Sequence, residues 1–115
     1  MKKVAIIISQ APHGNAKGRE ALDAALALSA YNQISLFFMG DGVFHLLKQQ
    51  QPERILMRNY IATFGVLDLY EIEQCYAREK DIICRQITDR VMDVKLLGDL
   101  AWRHQLHQQD VIMHF

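Results

Sequence analysis

Cys75 is the side chain in this 115-residue sequence best suited to nucleophilic chemistry. It stands near the carboxyl end of a strand predicted over residues 71–77 (EIEQCYA), where a thiol could face a cleft. There it could accept sulfur and carry it as a persulfide. An unperturbed cysteine has a pKa of about 8.5, so such a role needs cations or a helix N-terminus beside it. Arg78 and Lys80 are the obvious cations nearby. The competing expectation is structural, because cysteine is among the most buried residue types and packs as a small hydrophobe.

The other reactive side chains form weaker patterns. Cys84 lies within DIICRQI beside Ile82 and Ile83, where packing is the default role. The two thiols are nine residues apart, lack the short spacing of zinc and redox pairs, and have no histidine cluster close in sequence. His104 and His107 could share one helix face, but no acidic residue stands at the spacing of a zinc-hydrolase helix, so a solvated helix end is expected. His13 and Gly14 lie in the loop SQAPHGNAKG, where helix amides could cradle an anion. That loop has neither a P-loop nor a dinucleotide fingerprint. No metal and no cofactor is expected from these residues.

The elements that must position these groups alternate in type. Residues 3–9 are rich in Val and Ile and read as a first strand. A Pro/Gly/Asn loop follows, then an alanine-rich helix ending near Ala30. In it Leu22, Ala25, Leu26 and Ser29 recur at helical spacing, and Ala21, Ala24 and Ala27 are small enough to let the helix lie close on a sheet. Residues 33–39 (QISLFFM) form a second, buried-type strand that Gly40-Asp41-Gly42 breaks, before a short helix over 43–48. One or two helices are predicted over 54–70, the third strand over 71–77, and a short helix or turn over 78–87. A fourth strand follows over 90–95, a helix over 97–107 carrying Leu100, Ala101, His104 and Leu106, and a fifth strand over 110–115.

Strands alternating with helices imply the α/β class: one domain over residues 1–115, with a mainly parallel five-stranded sheet and helices on both faces. Sites in such sheets form outside the carboxyl ends of the strands, which points to residues 10–16, 40–43 and 76–81. Phe44, Leu46, Leu47, Phe64, Leu67 and Tyr70 exceed what one face of two short helices hides. They are either all core or partly an interface with another subunit, and Phe44, Leu47, Phe64, Leu67 and Tyr70 are the interface candidates.

Composition narrows the partners. Thirteen basic residues cancel thirteen acidic ones, whereas nucleic-acid affinity comes mostly from neutralising phosphates. Any RNA client is therefore expected to be reached through partners. The apolar run of residues 4–8 is shorter than the roughly 7–15 residues of a signal-peptide core. No stretch approaches the ~20 apolar residues of a membrane span. A cytoplasmic protein without a membrane anchor, its sparse cysteines kept as thiols, is the expectation.

Four stretches taken together, VAIIISQAPHGNAKGREALDAALALSA, LFFMGDGVFHLL, RNYIATFGVLDLYEIEQCYA and the terminal DVIMHF, resemble the TusC-like, or DsrF-like, members of the DsrE/DsrF-like family. The similarity covers the first 77 residues and the last strand, and is weakest from about residue 78 to 107. It implies a small α/β subunit that joins TusB-like and TusD-like chains in a heterohexamer, a dimer of trimers. That assembly passes persulfide sulfur toward 2-thiolation of the wobble uridine of tRNA. The resemblance gives the accepting cysteine to the TusD-like chain and a non-catalytic role to this one. The alternative is a sulfurtransferase that accepts persulfide sulfur on its own Cys75. Many relatives carry a second cysteine three residues after the one in this segment, where this chain has Arg78.

Overall fold

The computed structural model describes residues 2–10, 17–46, 74–87 and 94–115. Five strands, β1 (Lys2–Ile8), β2 (Asn32–Phe38), β3 (Gln74–Arg78), β4 (Lys95–Leu97) and β5 (Val111–His114), form one sheet in the order β4-β3-β2-β1-β5. Every pairing is parallel. The described helices are α1 (Lys17–Leu28), a 3-10 helix (Gly40–Leu46), α2 (Glu79–Cys84) and α3 (Asp99–His107). The α/β class with a five-stranded parallel sheet is what the alternation of patterns predicts.

Strand order explains which face each helix covers. Steps from β1 to β2 and from β3 to β4 run one way across the sheet, whereas the step from β4 to β5 runs back past β1. Right-handed crossovers must then put α1 and α2 on one face and α3 on the other. The packing agrees. Ala21, Leu22 and Ala25 of α1 and Ile82 of α2 join Val4, Ile6, Ile8, Leu36, Phe38, Cys75 and Ala77 in one core cluster. Trp102 and Leu106 of α3 pack with Ala5, Ile7, Phe37 and Leu97 in the second. Each fully buried Ile or Leu of this kind contributes about 1.5–3 kcal/mol, so the VAIII run of β1, buried on both faces, anchors the sheet.

Local chemistry sets the element ends. At the end of α1 the Ser29 hydroxyl donates to the Leu26 carbonyl at 2.8 Å, and the Asn32 side-chain amide to the Leu28 carbonyl at 3.1 Å. These bonds satisfy carbonyls that have no further turn to accept from. α2 stops in a Schellman motif: Gln86 takes φ 54°, its amide donates to Ile83, and the Ile87 amide donates to Ile82. The accompanying apolar contact is present, since Ile82 and Ile87 are buried in the same cluster.

Some boundaries differ from the sequence reading. The short helix predicted over 43–48 begins at Gly40 as a 3-10 turn, because Gly40 adopts φ 53° and Gly42 donates to the Met39 carbonyl at 2.9 Å. β3 begins at Gln74 and extends to Arg78, residues 71–73 lying outside the described residues. The fourth strand is described at Lys95–Leu97, where Leu96 and Leu97 meet the two core faces, whereas the prediction ran over 90–95, of which residues 90–93 lie outside the described residues. α3 turns Trp102 and Leu106 inward and leaves Leu100 84% exposed: in a nine-residue helix, only side chains one turn apart share the sheet-facing side. Ala27 is likewise exposed. The predicted helices over 54–70, and Leu47, Phe64, Leu67 and Tyr70 among the interface candidates, lie outside the described residues.

Candidate functional site

β3 carries Cys75 as its second residue, opposite Leu36 of β2 in the parallel register. The thiol is therefore three residues short of the carboxyl end, in the packed setting that the sequence offered as the alternative to a cleft-facing one. Strand alternation turns Cys75 and Ala77 toward the face covered by α1 and α2, and both belong to that core cluster. Only 7% of Cys75 is exposed. The strand's extension to Arg78 is the cause, because it moves the carboxyl end past the cysteine.

The two cations nominated to activate Cys75 do not serve it. Alternation puts Arg78 on the opposite face from Cys75, and its guanidinium meets Asp99 at the start of α3 at 3.1 Å. Lys80 is exposed on α2. Cys84, expected to pack, is exposed instead, because α2 turns only Ile82 inward. The two thiols thus sit in opposite settings, one in the core and one in solvent.

Tyr76, next to Cys75 in sequence, faces the other way. Its ring lies 5.0 Å from that of Phe37, which in turn meets Trp102 edge-on at 5.2 Å. Burial pushes the Tyr76 phenol above its ordinary pKa, and the adjacent Cys75 charge adds to the shift.

At the carboxyl edge, two of the three segments singled out from sequence meet. The Asp81 carboxylate accepts from the Gly40 amide at 2.8 Å, and Arg85 bridges Asp41 at 3.1 Å and Asp81 at 3.4 Å. The Arg85 guanidinium also lies 5.9 Å from the ring centre of Phe44, which is half-buried against the core cluster. Phe44 is thus shared between the core and a cation. These contacts tie the turn after β2 to α2 and fill the edge with paired groups. Residues 11–16, including His13 and Gly14, lie outside the described residues.

A second meeting point joins β1 to β5. The Ser9 hydroxyl lies 2.8 Å from Nε2 of His114 and also reaches the Phe115 carbonyl at 3.1 Å. A single hydroxyl proton serves one of these at a time, so donation to Phe115 requires His114 to donate from Nε2. His104 and His107 are exposed at the end of α3, with His104 against Gln108 at 2.9 Å. Among the described residues no group of three or more His, Cys, Asp or Glu side chains could hold a metal ion. No described helix is long and apolar enough to cross a membrane.

Of these contacts, sequence spacing could have suggested only the Asp81–Arg85 and His104–Gln108 pairs, each four residues apart. The Gly40–Asp81, Asp41–Arg85 and Ser9–His114 contacts span 41, 44 and 105 residues, and no local pattern encodes them.

The fold and the whole length of the chain have a known counterpart. The model of the DsrE/DsrF-like family matches residues 2–115. The chain belongs to that family. Within it, protein TusC of Klebsiella pneumoniae (strain 342) is 51% identical over 121 aligned residues that cover 100% of both chains. The crystal structure of the ychN protein from E. coli superposes with a TM-score of 0.84 over 100% of both chains at 21% identity. That likeness is one of fold, and it agrees with the five-stranded DsrE-like sheet described above.

Proposed function

We propose that this chain is a non-catalytic subunit of a sulfur-relay complex, one that passes persulfide sulfur for 2-thiolation of the wobble uridine of tRNA. Full-length similarity to protein TusC and membership of the DsrE/DsrF-like family support the relay. The observation that carries the non-catalytic part is the depth of Cys75: the thiol in the family segment lies in the core, 7% exposed, with Arg78 turned away and held by Asp99. A sulfur acceptor must meet its donor in line, and a thiol beneath packed side chains cannot. The zero formal charge supports tRNA contact through partners rather than directly.

The partners in this reading are TusB-like and TusD-like chains, two copies of each with two of this chain, in the cytoplasm. Phe44, Leu47, Phe64, Leu67 and Tyr70 are the residues assigned to the contact. The test is native mass spectrometry of the chain co-expressed with TusB-like and TusD-like chains from the same source. A stable complex with two copies of each supports the role, and a chain that ignores both partners removes it.

A further inference from the structure

The five strands are unequally buried. β1 and β2 each bury five consecutive residues, β3 buries Cys75 and Ala77, and β4 buries Leu97. β5 buries none: Val111 and Ile112 are 39% and 50% exposed, His114 is exposed, and Met113 and Phe115 pack only partly against the core cluster. Segments with few buried apolar contacts open at free energies well below that of the whole domain.

The ladder that holds β5 to β1 is reinforced at both ends by polar clamps. At the first end the Asp110 amide donates to the Lys3 carbonyl at 2.7 Å, and the Lys3 amide donates to the Asp110 carboxylate at 2.8 Å. At the other end the Phe115 amide donates to the Ile7 carbonyl at 2.8 Å, and the Phe115 carbonyl accepts from the Ser9 amide at 3.1 Å. The Ser9 hydroxyl joins that clamp through Phe115 and His114. The Asp110 and His114 bonds are exposed, and a bond for which water competes contributes little net. The turn leading into β5 also carries a cost. The Gln109 side-chain amide donates to the Gln105 carbonyl at 3.1 Å, but its Oε1 is buried without a hydrogen-bond partner among the described residues. That cost is recovered when the turn opens to water.

We propose that β5 is a releasable strap: it leaves β1 as one unit, swinging on the turn at Gln108 and Gln109, while the other four strands stay folded. Release frees Ser9 from His114 and Phe115 and uncovers the carboxyl end of β1, where sites in open parallel sheets form. The two clamps set how often the strap opens. Backbone alternation gives this motion a signature inside β1 itself. Lys3, Ile7 and Ser9 turn their backbone groups toward β5, whereas the Ile8 carbonyl accepts from Met39 on the β2 side at 3.1 Å. Opening therefore releases the first set and leaves the amides of Ile6 and Ile8 paired with β2.

Native-state hydrogen exchange on the full-length chain, read residue by residue by NMR, tests this. The amides of Val111, Met113 and Phe115 should be protected, but roughly a hundredfold less than those of Leu36 and Phe37 in β2. The amides of Ile7 and Ser9 should share the lower protection, and those of Ile6 and Ile8 should stay with β2. Asp110→Ala, which removes one clamp, should lower protection at Val111, Met113 and Phe115 together by roughly threefold or more, and Ser9→Ala should do the same from the other end, with β2 unchanged. Equal protection of β5 and β2 overturns the proposal, and so does a complete lack of protection in β5, since a strap must first be bound. A variant that lowers β5 and β2 alike also overturns it, because the opening is then global. Asp110→Ala acting on Val111 alone overturns it as well, since one end then frays by itself. The wild-type comparison decides the matter even where a variant does not fold, and none of these outcomes depends on the sulfur-relay reading.

Discussion

Thiol labelling should separate the two cysteines by orders of magnitude. Cys84 is exposed on α2 and should react with iodoacetamide at the rate of an ordinary thiol. Cys75 is 7% exposed in the middle of the sheet, opposite Leu36 and beneath the α1 and α2 face. Reagent reaches it only when the strand opens, and a core strand opens with a free energy near that of global unfolding. With about 5 kcal/mol for a domain of this size, and about 1.4 kcal/mol per decade, labelling of Cys75 should be slower by roughly 4,000-fold. Pulsed alkylation read by peptide mass spectrometry gives both rates in one sample. A parallel run in denaturing urea should bring them within a few-fold, which shows that the difference comes from the fold. If Cys75 labelled natively within about tenfold of Cys84, it would have to open locally or be reachable by a donor. The case for a non-catalytic subunit would then fail, and a sulfurtransferase acting on Cys75 would replace it.

Gly42→Ala should be strongly destabilising, because a Cβ there would lie 1.9 Å from the Ile8 carbonyl oxygen and 2.5 Å from its carbon. Backbone cannot swing aside as a side chain can, so a loss near the upper end of about 1–3 kcal/mol is expected. That is roughly a 10 °C fall in Tm by calorimetry, whereas Gly98→Ala, whose Cβ meets nothing within 4 Å, should shift Tm far less. Alkaline pH should weaken the fold through Tyr76, whose folded-state pKa is raised by burial and by the Cys75 charge. The unfolded phenol loses its proton first, near pH 10, so this contribution is complete below that value and falls as pH rises toward the folded pKa. Thermal unfolding between neutral and alkaline pH should show a shallower decline for Tyr76→Phe than for the wild type, and parallel curves would refute the assignment.

Much of the framework was legible in the order of residues. The VAIII run, the alanine-rich helix and QISLFFM carry periodicities strong enough to set β1, α1 and β2 to within about two residues at their described ends. Gly40 and Gly42 marked the break after β2 because a positive φ and a close backbone approach both favour glycine. The family resemblance likewise rested on motifs readable without coordinates. Short elements were less legible: β4 has three residues and α3 nine, too few for a periodic signal to fix the boundaries.

Where Cys75 points was a matter of tertiary structure alone. Its residue type favours a packed thiol, while its place near a strand end with Arg78 and Lys80 close in sequence leaves a reactive one open. The decision came from the extension of β3 to Arg78 and the register that sets Cys75 against Leu36, with helices closing over that face. Tertiary structure also brought Ser9 to His114 and set β5 beside β1, because a connection that turns back across the sheet lays the last strand beside the first. Sequence fixes such outcomes only through the sum of many weak long-range contacts, whereas periodicity and turn chemistry are local and can be read directly.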